Sequence, residues 1–147
     1  MKHLFTIILI GFAFAETIAQ TATPEETVKQ FFTAMHAKDT ATLKTLVADK
    51  VIFQTVMTRD DESKAQMQDF NKFLQSVASI PETMSFEEVI LDYKTRVDGT
   101  MANVWTPYNF MLNEELSHCG VNSFTMILTG GKWKIFHLVD TRRKDCD

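Results

Sequence analysis

The chain is sparing with the residues that announce a chemistry. Its 147 residues include two cysteines, four histidines, two tyrosines, two tryptophans, three prolines and five glycines. The cysteines form no CxxC pair and have no ligand-spaced histidine beside them, so neither a metal site nor a cysteine nucleophile is expected, and no cofactor either. No Gly-x-Ser-x-Gly elbow is present, which removes the usual route to a Ser-His-Asp hydrolase. The single Gly-Gly pair, Gly130-Gly131, falls between two strand-like runs rather than before a helix, so it is not a phosphate cradle. Positive charge is also short: 15 Lys and Arg against 19 Asp and Glu, a formal net charge of −4. A nucleic-acid groove needs clustered cations, and the one dense group, Arg142-Arg143-Lys144, is flanked by Asp140, Asp145 and Asp147. No nucleic-acid partner is expected. Repeats, low-complexity stretches and interdomain linkers are lacking, and the length suits one domain.

The N-terminus carries the one long apolar run. Lys2 and His3 precede Leu4 to Phe14, and Ala13-Phe14-Ala15 and Thr17-Ile18-Ala19 each offer small residues for cleavage. The pattern is that of a secretory leader, and the run is shorter than the roughly 20 residues of a membrane-spanning helix. Residues 1–19 are therefore expected to be a cleaved leader and 20–147 the single mature domain. No cysteine follows the run, so no lipid anchor is expected. The mature protein should be soluble, in the periplasm or outside the cell. That compartment is oxidising, which makes Cys119 and Cys146 a candidate disulfide; two free thiols are the alternative.

The mature chain opens with helices. Thr23, Pro24 and Glu26 spell an N-cap, a first-turn proline and a capping box, and Val28, Phe31, Phe32 and Met35 follow at helical spacing. Asp39 can cap a short second helix with Leu43, Leu46 and Val47 on its buried face. Val51 to Thr55 reads as a short strand. A third helix is expected from Asp60 or Asp61 to about Ser79, with Met67, Phe70, Phe73, Leu74 and Val77 as its stripe and Pro81 preventing its continuation. From Ser85 the period changes to two. Turns are expected at Asp98-Gly99, Asn113-Glu114-Glu115 and Gly130-Gly131, separating long strands. Helices followed by a strand meander predict an α+β domain.

Turn length sets register, and the expected registers agree on one inner face. Tyr93 lies opposite Val104, Val104 opposite Phe124, Thr106 opposite Asn122, Phe110 opposite His118, and Phe124 opposite His137. Tyr93, Thr106, Tyr108, Phe110, His118, Asn122, Phe124 and His137 are accordingly the expected ligand-binding residues. Buried polar groups need partners, and several at one end of the face point to a hollow filled by water or a ligand. Pro107 implies an edge or a bulge, which would turn Tyr108 and Phe110 to the other face. Glu87 is the expected inner-face carboxylate, in the row of Phe110 and His118 but not in direct contact with them. Asp140 is expected on the outer face, paired with Arg142. Trp105, Val121, Phe136 and Leu138 are expected on that outer face too, too apolar for solvent, and predict a homodimer.

The stretches FFTAMHAKDTATLKTLV, VWTPYNF, SHCGVNSF and GGKWKIFHLVDTRR resemble the nuclear transport factor 2-like superfamily, and the similarity runs from Pro24 to Arg143. The last three look like small secreted bacterial members of the SnoaL-like or lumazine-binding-like kind. The resemblance implies a cone of about three helices packed on a curved antiparallel sheet. It implies less about activity, because that superfamily holds isomerases, dehydratases, cyclases, hydrolases and non-catalytic binders. Three functions stay open. The chain binds an unknown small molecule in a partly polar pocket; or it is a cofactor-free enzyme in which His118 is general acid or base and Tyr108 or Asn122 holds an oxyanion; or it is a dimeric interaction module without a ligand. The absence of an inner-face acid touching a histidine favours the first.

Overall fold

The computed structural model describes residues 22–59 and 62–146. The leader expected over residues 1–19 lies outside them, as do Asp60 and Asp61. Helix α1 covers Pro24–His36. The Thr23 hydroxyl accepts from the Glu26 N–H at 3.1 Å, and the Glu26 carboxylate accepts from the Thr23 N–H at 2.6 Å, so both orphan donors are satisfied. Helix α2, Thr40–Leu46, is capped by Asp39, which accepts from the Thr42 N–H.

The expected third helix is divided. Strand β1, Val47–Arg59, folds back on β2, Glu62–Gln68, as an antiparallel hairpin. Helix α3 covers only Phe70–Ala78, with Asp69 as its cap. Glu62–Gln68 contains no β-branched residue, so local propensity favours helix. The backbone of β1 from Phe53 onward needs a partner on that edge, and seven paired residues supply it; tertiary pairing outweighs propensity here. Met67, expected in the buried stripe, is 62% exposed.

The remaining strands are β3, Phe86–Ile90; β4, Lys94–Asp98; β5, Met101–Leu112; β6, Glu115–Thr129; and β7, Lys132–Thr141. The sheet runs β2-β1-β7-β6-β5-β3, and β4 also pairs with β5. It is mixed rather than antiparallel, because β1 and β7 are parallel; no hairpin joins them, and a distant connection leaves direction free. All three helices cover one face. Phe31 is the centre of the core, with the rings of Phe32, Phe53, Phe73 and Phe124 between 5.6 and 6.2 Å away.

Register decides which side chains meet the helices. Val104, Thr106 and Phe110 lie opposite Phe124, Asn122 and His118, as expected, although the loop is the two-residue Asn113-Glu114, both at positive φ. A bulge at Ser117 makes up the missing residue. The β4–β5 loop is Gly99-Thr100, so Thr95, not Tyr93, faces Val104. On β7 a bulge at Phe136 shifts the pairing: Phe124 faces Leu138 rather than His137, and Asn122 faces Asp140. His137 therefore turns outward, where its Nε2 lies 2.9 Å from Gln54 Oε1. Leu138, expected outside, is buried in the core, and Asp140 turns inward.

Candidate functional site

Pro107 explains the site. It has no N–H to give a neighbouring strand, and opposite it the neighbour breaks into β3 and β4. Ile90 pairs with Tyr108 and Lys94 with Trp105, so three residues span what two span on β5. The bulge that the proline demands thus sits in the adjacent strand, and β5 continues through Pro107 without a shift. Tyr108 and Phe110 keep their inward direction. The extra residue instead reverses the phase of β3, so Phe86, Glu88 and Ile90 face the helices and Glu87 faces solvent. Glu88, not Glu87, lies in the row of Phe110 and His118.

Glu88 lies in a cavity of about 360 Å³. Its walls are mostly apolar: Phe31, Phe32 and Met35 from α1, Phe73 and Val77 from α3, Phe53, Phe86 and Leu138 from the sheet. Its polar groups include Glu88, Tyr108, His118, Asn122 and Asp140 from β3, β5, β6 and β7, Gln54 and Gln68 from β1 and the end of β2, and Arg142 just beyond β7. Ser76 and Arg142 line the cavity while remaining exposed, so they mark its mouth.

Each polar group has a defined setting. Asn122, buried, donates through Nδ2 to Glu88 Oε1 at 3.5 Å. Burial pushes the Glu88 carboxyl up to about 7, with Asp140 adding to the rise and Asn122 and Arg142 opposing it. The Glu88 N–H donates to His36 Nε2 at 3.0 Å, which fastens β3 to the end of α1. Burial lowers the His36 imidazole, in keeping with a neutral ring that accepts at Nε2. The Tyr108 hydroxyl donates to the Thr141 carbonyl at 2.9 Å, and burial raises its phenol. Gly120, opposite Tyr108, makes that bond possible: a Cβ there would stand 1.9 Å from the Thr141 oxygen and 3.0 Å from Tyr108 Cε1. His118 stacks on Phe110 with ring centroids 4.7 Å apart. Burial, then Arg142 and Lys144, lower its imidazole. Asp140 accepts from Thr55 Oγ1 at 2.6 Å and from Arg142 Nε at 3.0 Å.

Of the expected ligand-binding residues, Tyr108, Phe110, His118 and Asn122 line the cavity. Thr106 and Phe124 share the inner face but are sealed within the core, and the Thr106 hydroxyl has no partner among the described residues. Tyr93 lies beyond the cavity, with Lys29 Nζ 4.9 Å from its ring centre. His137 is on the other face. Glu88, Asp140, Arg142 and His36 are the cavity's further polar surroundings that sequence reasoning misplaced or passed over. Among the described residues no cluster of three or more His, Cys, Asp or Glu could hold a metal, and no helix is long and apolar enough to cross a membrane. Cys119 and Cys146 are joined by a disulfide, Cα atoms 5.7 Å apart.

A family model described as a SnoaL-like domain matches residues 25–140. A nuclear transport factor 2-like protein from Cytophaga hutchinsonii is 17% identical over 81% of this chain and 94% of its own, with a TM-score of 0.62. A provisional dehydratase of the same fold family from Streptomyces avermitilis is 19% identical, covering 80% of this chain and 91% of its own, at 0.57. A provisional ketosteroid isomerase from Shewanella frigidimarina is 14% identical, covering 78% and 90%, at 0.58. At these identities the likeness establishes the fold, a cone of three helices on a curved mixed sheet. No curated protein matches the chain.

Proposed function

The chain belongs to the SnoaL-like domain family, and within it we propose that it is an exported protein that binds one small, largely aromatic or alicyclic molecule. The observation that carries this reading is the polar pair Glu88–Asn122 inside a cavity of about 360 Å³ whose other walls are mostly phenylalanine, leucine, valine and methionine. Pockets of this kind take an apolar body and orient it by a few convergent hydrogen bonds. The leader-like N-terminus and the Cys119–Cys146 disulfide support export. Native mass spectrometry of the protein purified from its own host tests the reading. Wild type is expected to carry a small molecule that Ser76→Trp, a plug at the exposed mouth, excludes. Each protein at its bare polypeptide mass, together with no binding of 2-naphthamide by wild type, would defeat it.

A second reading is proton transfer without a cofactor, and Glu88 favours it. A carboxyl near 7 is divided between acid and base at neutral pH, the condition that general acid–base catalysis favours. The preference for a binder rested on the absence of an inner-face acid touching a histidine; Glu88 is an inner-face acid, but its carboxylate meets Asn122 instead. In this reading Glu88 takes a proton from carbon beside a carbonyl, and Asn122 donates to the carbonyl oxygen. Tyr108 is less suited, since its hydroxyl already donates to Thr141; His118 would orient the bound body beside Phe110. Deuterium exchange at the α-carbon of cyclic ketones, followed by NMR, should exceed the buffer rate in wild type and return to it in Glu88→Gln. An unchanged rate in Glu88→Gln would leave the binding reading alone.

The outer sheet face supports a homodimer as a further part of the proposal. Trp105 and Ile127 are 44% and 41% exposed there, Val121 and Phe136 are half-buried, and no described helix covers them. Patches of this kind mark interaction surfaces.

A further inference from the structure

Resting on the pocket reading above, we propose that the ligand is an acid: a small aromatic or alicyclic carboxylate whose anionic group pairs with the terminal nitrogens of Arg142. Three observations carry it. Arg142 spends only its Nε–H on Asp140, at 3.0 Å, and no described residue takes a hydrogen bond from either Nη atom. A guanidinium held through Nε presents its two Nη groups as a fork that matches a carboxylate. The side chain lies between the aromatic cavity and a second, more polar hollow of about 200 Å³ bordered by Thr55, Gln66 and Gln68. A ligand body seated on Phe110 and Phe86 would thus extend a substituent toward Arg142 and Gln68, which border both hollows.

The surrounding charges agree with an anion. Asp140 is engaged on both oxygens, by Thr55 and by Arg142 itself, and serves to aim the guanidinium. Lys144 lies beside Arg142 and is tied by its Nζ to the Ser117 carbonyl at 2.6 Å. The nearby His118 imidazole is lowered first by burial and then by these two cations, with Asp140 opposing them. Glu88, deeper in, is held largely uncharged below neutrality by its apolar walls and so adds little repulsion. The disulfide clamps the segment that carries Arg142, since Cys146 closes the chain back on Cys119 of β6.

The test is calorimetric titration at pH 6 with a matched pair of probes, 2-naphthoate and 2-naphthamide, which share a body and differ in charge. Wild type is expected to bind both and to prefer the acid about tenfold, the scale of a charge-assisted pair at a partly exposed site. Raising the salt should erode that preference and leave the amide unchanged. Arg142→Gln should abolish the preference while keeping amide binding, and Arg142→Lys should keep part of it. Equal affinity of wild type for acid and amide overturns the proposal and leaves the pocket intact. Acid preference surviving in a folded Arg142→Gln protein overturns the role of Arg142. Failure of both probes in wild type overturns this proposal, and only together with ligand-free native masses does it also remove the pocket reading.

Discussion

Replacing Glu88 by Gln should change how the fold responds to pH, and the direction can be worked out. The folded carboxyl sits near 7, against about 4.5 in the unfolded chain. Between those values the native state keeps a proton that the unfolded state has lost, so stability falls as pH rises. The contribution is fully present below about 4.5 and is lost as pH passes 7. At 1.36 kcal/mol per pH unit the loss is about 3 kcal/mol. His36 and His118 work the other way: burial lowers their imidazoles, so their contribution grows as pH rises toward the ordinary histidine value and is complete above it. The single curve of wild type mixes these effects, but the difference between wild type and Glu88→Gln removes the histidines. Glutamine keeps an acceptor for Asn122 Nδ2 and never ionises. Urea titrations at pH 5 and pH 8 measure the difference: on going from one to the other, wild type should lose about 2.5 kcal/mol relative to Glu88→Gln. Parallel dependence, with no divergence beyond the fitting error, would refute the claim that this carboxyl is held in an apolar hollow.

Three other outcomes follow from packing and covalent structure. Gly120→Ala should lower the unfolding free energy by about 3 kcal/mol in a urea titration, because its Cβ would collide with the backbone of Thr141 and neither β6 nor β7 can give way cheaply; a wild-type midpoint would show that the strands part freely. Reducing the disulfide, or replacing both cysteines by serine, should cost about 3.5 kcal/mol of stability, the loop-closure value for a link across 27 residues, and identical oxidised and reduced midpoints would contradict it. Trp105→Glu should convert a dimer to a monomer in sedimentation equilibrium without disturbing the fold, since the side chain is 44% exposed on the outer face; a wild-type monomer would remove the proposed interface.

The parts of the fold that were legible in the sequence are those fixed by contacts within a few residues. The capping box at Thr23–Glu26 and the cap at Asp39 need only their own helix ends, and both form. The glycine pair at 130–131 turns between Thr129 and Lys132 with both residues at positive φ, as a two-residue hairpin demands. Asp69 was an equally local signal, a cap directly before the apolar Phe70, but the helix-favouring composition of Glu62–Gln68 hid it. What made those seven residues a strand was the open edge of β1, which no reading of the segment itself contains.

The candidate site was legible in its β5–β6 half and not beyond, and the reason is the period of two. Along Tyr108, Phe110, His118 and Asn122 the register follows from one turn, and all four reach the cavity. On either side a single inserted residue, at the β3–β4 break and at Phe136 in β7, reverses every side chain past it. The first reversal exchanges Glu87 for Glu88 and the second exchanges His137 for Leu138, Asp140 and, two residues on, Arg142. Pro107 was the available clue to the first: a proline in a central strand disrupts the ladder on one side, and the disruption can be absorbed by the neighbour instead of by its own strand. Placing the bulge in the neighbour keeps Tyr108 and Phe110 facing in and brings Glu88 beside Asn122. The acid of this cavity therefore owes its position to a proline on the next strand, whose missing N–H sets the phase of β3.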